Sequence, residues 1–161
     1  MAIKIYRGET GKGGWWWTTD LATAKAYNQK LIWEAELSDN AKLVELGGYG
    51  VYHSISWLYR QYGWKKLKKL LEQEGVRVAI VFTEQEWNEI DYDTAKIQKV
   101  DLYLYPTENA FFVPTNKAWQ VADKLVAEHF RKLGYDAIKW DSDIQILNKK
   151  VIQNKRTYVI I

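Results

Sequence analysis

The stretch Gly134-Tyr135-Asp136-Ala137-Ile138-Lys139-Trp140-Asp141-Ser142-Asp143-Ile144-Gln145-Ile146-Leu147 decides how the chain is built. Ala137–Trp140 and Asp143–Leu147 are rich in β-branched and aromatic residues and read as strands, with Asp136 and Asp141 suited to closing turns. Upstream, Pro114 precedes the clearest helix of the chain. Thr115 or Asn116 caps it, Ala118, Ala122, Leu125, Val126, His129 and Leu133 line one face, and Gly134 stops it. Downstream come Val151-Ile152 and a last strand over Thr157–Ile161.

The N-terminal part carries more strands. Ile3-Lys4-Ile5-Tyr6-Arg7 alternates at period two and runs into the glycine loop Gly8-Glu9-Thr10-Gly11-Lys12-Gly13-Gly14. Trp15-Trp16-Trp17-Thr18-Thr19 reads as a second strand, and Thr19 or Asp20 caps a short alanine-rich helix, Leu21–Tyr27. Leu31–Leu37 is a strand, and Lys42–Leu46 a strand or turn. The middle is more helical, with Ile55, Leu58, Tyr59 and Tyr62, then Trp64, Leu67, Leu70 and Leu71, at helical spacing up to Glu74-Gly75. Val76–Phe82 is a near-continuous apolar strand, Thr83-Glu84-Gln85-Glu86 opens a helix as a capping box, and Val100–Tyr105 is a further strand. Short helices between strands, without regular strand–helix alternation, make an α+β fold.

Composition narrows the class. The chain has 161 residues, of which 47% are hydrophobic and 15% aromatic, with 9 Trp and 11 Tyr. That is far too apolar for a disordered chain and suits one domain over residues 1–161. The absence of Cys excludes a disulfide scaffold, a thiolate metal site and a thiol nucleophile, and fits a reducing cytoplasm. No signal-like or membrane-length apolar run occurs, so a cytoplasmic protein with no membrane association is expected. The net charge of +3 is too small to imply nucleic acid by itself, but Lys65, Lys66, Lys68 and Lys69 are concentrated while Glu84–Asp93 is acidic.

Several sites fail on spacing. Gly11-Lys12 is followed by Gly13, which breaks the phosphate-loop pattern, and Gly47-Gly48-Tyr49-Gly50 lacks the third spaced glycine of a dinucleotide fingerprint. His53 and His129 do not form a metal-ligand pair, so no metal is expected; His129 reads as a core or boundary residue and His53 as a loop residue. Glu84-Gln85-Glu86 belongs to the capping box rather than to catalysis. Arg7, at a strand end beside glycine, can present a planar fork to a phosphate. The lysines suit either a solvated helix face or an acidic target, and Trp64, Tyr59 and Tyr62 among them suit stacking on unpaired bases.

Tyr6-Arg7-Gly8-Glu9, then Trp16-Trp17-Thr18-Thr19-Asp20 with Ala24-Lys25-Ala26-Tyr27, then Gly134-Tyr135-Asp136-Ala137-Ile138 with Asp141–Leu147 and Val151-Ile152, occur in that order. Together they resemble the ADP-ribosyltransferase fold, and within it the arginine–serine–glutamate class, which includes many toxins and bacteriophage proteins. The resemblance covers residues 3–46 and 115–152, and leaves 49–110 as an insertion suited to target recognition. It implies split β-sheets with short flanking helices and a helical middle.

The same resemblance implies NAD as substrate, with nicotinamide cleaved and ADP-ribose transferred to a host macromolecule, protein favoured over nucleic acid. Arg7, with Gly8, would hold the NAD phosphates or adenosine-side ribose, Thr18 and Thr19 would brace the floor, and Tyr27 would pack beside them. An acidic residue on the late strand would bind the nicotinamide-side ribose. A departing nicotinamide leaves positive charge on the sugar, so a carboxylate aimed there lowers the barrier. The family's glutamate is absent. Asp143 falls at its place counting back from Ile152, with Gln145 the other occupant of that strand face. If Gln145 holds the catalytic place, the chain is a weak enzyme or an ADP-ribosyltransferase-like binding protein. A nucleic-acid-binding module built on Lys65, Lys66, Lys68 and Lys69 is the remaining alternative.

Overall fold

Alternation at period two makes Ile3–Gly8 (β1) an inner strand of a seven-stranded mixed sheet. The computed structural model describes residues 3–8, 15–27, 31–50 and 52–159. Within them the chain forms two units, one from 1–48 with 127–161 and the other from 49–126.

The first unit holds the large sheet. Its strands are β1, Trp16–Thr18 (β2), Leu31–Leu37 (β3), Leu43–Glu45 (β4), Ala137–Trp140 (β8), Asp143–Ile146 (β9) and Ile152–Val159 (β10). Their order is β10-β3-β1-β2-β9-β8-β4, antiparallel except for the β4–β8 pair. Directly opposite residues share a face, so Ile5, Trp17, Ala35, Leu37, Ala137, Ile144 and Ile146 meet on one side and form a core with Val151. Thr18, Ile32, Ile138, Trp140 and Gln145 are buried on the other side. Burial of residues from both faces of β8 and β9 fits their largely apolar sequences. Leu21–Tyr27 (α1) is a short helix with Ala24 fully buried.

The second unit holds His53–Gln73 (α2) and a three-stranded sheet, Val78–Ile80 (β5), Leu102–Tyr105 (β6) and Ala110–Phe112 (β7) in that order. Glu84–Asn88 (α3) and Tyr92–Gln98 (α4) lie between β5 and β6 in sequence. Val81, Ala95, Tyr103 and Tyr105 make its sheet-side core. Asn116–Lys132 (α5) begins in this unit and ends in the first. Ser54 donates to Asp123 of α5 at 2.6 Å, both buried, which compensates a carboxylate removed from water.

The α+β expectation holds: among the described residues there are a seven-stranded mixed sheet, a small three-stranded sheet and five helices. The cap expected at Thr83 is present, with its hydroxyl accepting from the Glu86 amide at 3.1 Å, while the Glu86 carboxylate accepts from that hydroxyl at 3.0 Å. Gly134 ends α5 at φ 88°, where the Tyr135 amide reaches back to the Phe130 carbonyl at 3.1 Å.

Several expectations need correction. The last strand begins at Ile152, not Thr157, and its polar run Ile152–Val159 sits at a sheet edge, where one side needs no apolar cover. Of Val76–Phe82 only Val78–Ile80 is strand. His129 is exposed, because the buried residues of α5 are Ala118, Ala122, Asp123, Val126, Ala127 and Phe130, and Leu133 is exposed with it. Most of the glycine loop, residues 9–14, lies outside the described residues.

Candidate functional site

Three neighbouring strands, β1, β2 and β9, carry the residues singled out in the sequence. Tyr6 pairs with Thr18, Thr18 with Asp143, and Asp143 with Trp140, so these four form one row across four strands. The next row is Trp16, Gln145 and Ile138. Opposed residues share a face, and residues two apart on a strand do too. Thr18, Asp143 and Gln145 are therefore on one face of the sheet.

Arg7 is not brought onto that face. It pairs with Trp33 and shares the side of Ile5, Ala35 and Trp17. Its guanidinium is half-buried and donates from Nη1 to the Trp16 carbonyl at 3.0 Å. Among the described residues the one registered β1–β2 pair is Tyr6 with Thr18. Arg7 thus ties the two strands together beyond the end of their ladder. Gly8, buried, pairs with Ile32.

The two threonines converge on one backbone atom. The Ser142 carbonyl accepts from the Thr18 hydroxyl at 3.2 Å, the Thr19 hydroxyl at 3.3 Å and the Thr19 amide at 2.8 Å. Thr18 Oγ1 also accepts from the Asp20 amide at 3.1 Å. Asp20 in turn receives the Ala22 amide at 3.2 Å and the Thr23 hydroxyl at 2.7 Å, which opens α1. Asp141 takes φ 54° in the same β8–β9 turn, a region that aspartate tolerates better than most residues. The turn presenting Asp143 is therefore pinned from β2. Tyr27 closes α1, and its side chain lies outside the described residues.

Asp143 and Gln145 differ in access. Asp143 is half-buried at the start of β9. Gln145 is fully buried, and its amide oxygen accepts from the Trp140 indole at 3.1 Å. A buried side-chain amide needs such partners, and this one is held in the packing rather than presented to a ligand. Nothing in the sequence marked Ser142, because a backbone carbonyl has no residue letter. The Trp140–Gln145 contact was legible in principle, as two same-face residues straddling a hairpin turn.

The lysine cluster lies on α2, in the other unit. Lys65 sits 5.5 Å from the Trp64 ring, Lys66 4.5 Å from the Tyr62 ring, and Lys68 pairs with Glu72 at 2.6 Å. Lys65, Lys68, Lys69, Glu72 and Gln73 line an open hollow of about 450 Å³.

Two shifted titrations also belong to that unit. The Thr94 amide holds the Asp91 carboxyl below its usual range, and burial raises the Tyr103 phenol. His53 accepts from the Tyr49 amide at 3.1 Å through Nδ1. Among the described residues no cluster of three metal-ligating side chains occurs, and no helix is long and apolar enough to cross a membrane. Comparisons with protein-family models, curated proteins and solved structures yield no match.

Proposed function

We propose that the seven-stranded unit is an ADP-ribosyltransferase-like fold and that the chain is an NAD-dependent mono-ADP-ribosyltransferase acting on a macromolecule. The observation that carries this reading is the row Tyr6–Thr18–Asp143, which sets a half-buried carboxylate beside a threonine-braced turn. Asp143, rather than the enclosed Gln145, is the acid that meets the nicotinamide-side ribose. As the glycosidic C–N bond breaks, nicotinamide leaves with the electron pair, and the Asp143 charge offsets the positive charge left on the sugar. An acceptor nucleophile then bonds to the anomeric carbon and gives up its proton. Arg7 acts as a positioning residue that holds β1 to β2. A substrate such as NAD favours a cytoplasmic site of action, in the host cytoplasm if the source is a phage.

A second reading has its own support. Arg7 and Asp143 lie on opposite faces, and Gln145 is committed to Trp140, which suits a protein that binds NAD or a host partner without turnover. Incubation with labelled NAD and cell lysate, beside calorimetric titration of NAD, separates the two. Transfer of label or release of nicotinamide that disappears in Asp143→Ala supports the transferase. NAD binding without release supports the binding protein. Absence of both, or labelling that survives Asp143→Ala unchanged, overturns the site.

A further inference from the structure

We propose that α2 beyond Gly63, together with Phe82, forms a docking surface for single-stranded nucleic acid. The surface lies wholly within the second unit and does not depend on the NAD reading.

Gly63 interrupts α2 at φ 80° and ψ 169°, outside helical geometry. Around this break the chain places three rings. Tyr62 is 37% exposed and Phe82 67% exposed. Trp64 is half-buried, its ring edge-on to Phe82 with centroids 6.5 Å apart. Trp64 and Phe82 form one pair, while Tyr62 packs edge-on against Trp57 with centroids 6.4 Å apart; exposed rings beside cations suit stacking of unpaired bases.

The cations follow directly in sequence. Leu67 and Leu71 are fully buried and fix which side of the helix faces inward. Lys65, Lys66 and Lys69 are exposed, and none has a carboxylate partner among the described residues. Lys65 and Lys66 lie 5.5 and 4.5 Å from the Trp64 and Tyr62 ring centroids, so cations and aromatic rings share one stretch of surface. The open hollow of about 450 Å³, lined by Lys65, Lys68 and Lys69 together with Glu72 and Gln73, gives room for a phosphate.

An acidic peptide would satisfy these lysines but has no use for the rings, and a membrane surface would call for a broader apolar face. Unpaired nucleotides use both features at once, with phosphates on the ammonium groups and bases on the aromatic faces. Paired bases are already stacked and cannot use the rings. Lysine lacks the planar fork that reads base edges, so recognition is indifferent to sequence.

Fluorescence anisotropy of a labelled mixed-sequence oligonucleotide, with no NAD present, tests this on the full chain. The single strand is expected to bind at low salt and to be released as salt rises. The triple variant Lys65→Gln, Lys66→Gln, Lys69→Gln flattens the log–log salt slope by about 2, since each phosphate contact contributes roughly 0.7. Phe82→Ala, at an exposed position that leaves the fold intact, weakens binding about 5-fold or more at an unchanged slope. No binding at low salt overturns the proposal. Equal binding of a duplex, of polyglutamate or of phosphatidylserine vesicles also overturns it, as does an unaltered affinity in Phe82→Ala.

Discussion

Asp143 stands directly across the β2–β9 ladder from Thr18, and the residue before it, Ser142, gives its carbonyl to the Thr18 hydroxyl. One threonine thereby fixes both the register of the carboxylate and the turn that delivers it. Because Thr18 is only 4% exposed, its hydroxyl is committed to these bonds rather than to water. The acid at the end of β9 is held by the neighbouring strand, whatever ligand meets it.

Thr18→Val keeps the shape and β preference of the side chain and removes the hydroxyl. It is expected to lower stability by about 1–3 kcal/mol in urea denaturation, because a buried hydroxyl's two bonds, to the Ser142 carbonyl and from the Asp20 amide, are lost together. Thr19→Val should cost less, since the Thr19 amide still bonds Ser142. Equal costs for the two would contradict this division of labour.

Trp140 and Gln145 should behave as a coupled pair. Trp140→Phe and Gln145→Leu each remove one side of a fully buried hydrogen bond and should each cost about 1–3 kcal/mol. The double variant should lose less than the sum of the two, by about 0.5 kcal/mol or more. Strict additivity in chemical denaturation would count against the contact.

Gly63→Ala tests the break in α2. A Cβ at this position meets nothing within 4 Å, so crowding is not the obstacle. The backbone at φ 80° and ψ 169° belongs to a region essentially reserved for glycine, and alanine there should cost about 1–3 kcal/mol in thermal or urea unfolding. A neutral substitution would mean that the helix straightens freely.

Asp91 makes stability depend on pH in a defined sense. Its carboxylate caps α4 by accepting from the Thr94 amide at 2.8 Å, which lowers its folded-state pKa below the unfolded value. Such a group stabilises the fold fully above the unfolded pKa, near 4, and loses that contribution as pH falls through the folded value. Wild type should exceed Asp91→Ala in melting temperature by a constant margin near neutrality, and the margin should shrink below about pH 4. A margin that widens in acid would refute the cap.

Local signals carried much of the architecture. The helix cap at Thr83, the stop at Gly134 and the alternation of Ile3–Arg7 rest on backbone preferences acting within a few residues, and each appears where those preferences put it. Elements without an apolar rhythm escaped. In α4 only Ala95 is buried, so its sole sequence marker was a capping aspartate inside an acidic run. The first half of β10, a polar edge strand with a register shift between Gln153 and Arg156, leaves no period to follow, so the sequence reads as strand only from Thr157.

The candidate site divides along the same line. The sequence by itself determined that Arg7, the Thr18-Thr19 pair and Asp143 lie at or beside strands, because propensity and turn chemistry are local. Only the tertiary structure decided that β1, β2 and β9 are neighbours, that Asp143 faces with Thr18 while Arg7 faces away, and that Gln145 is closed off by Trp140. Those outcomes depend on pairing register, and in a pleated sheet a shift of one residue reverses every side chain. No single strand contains that information.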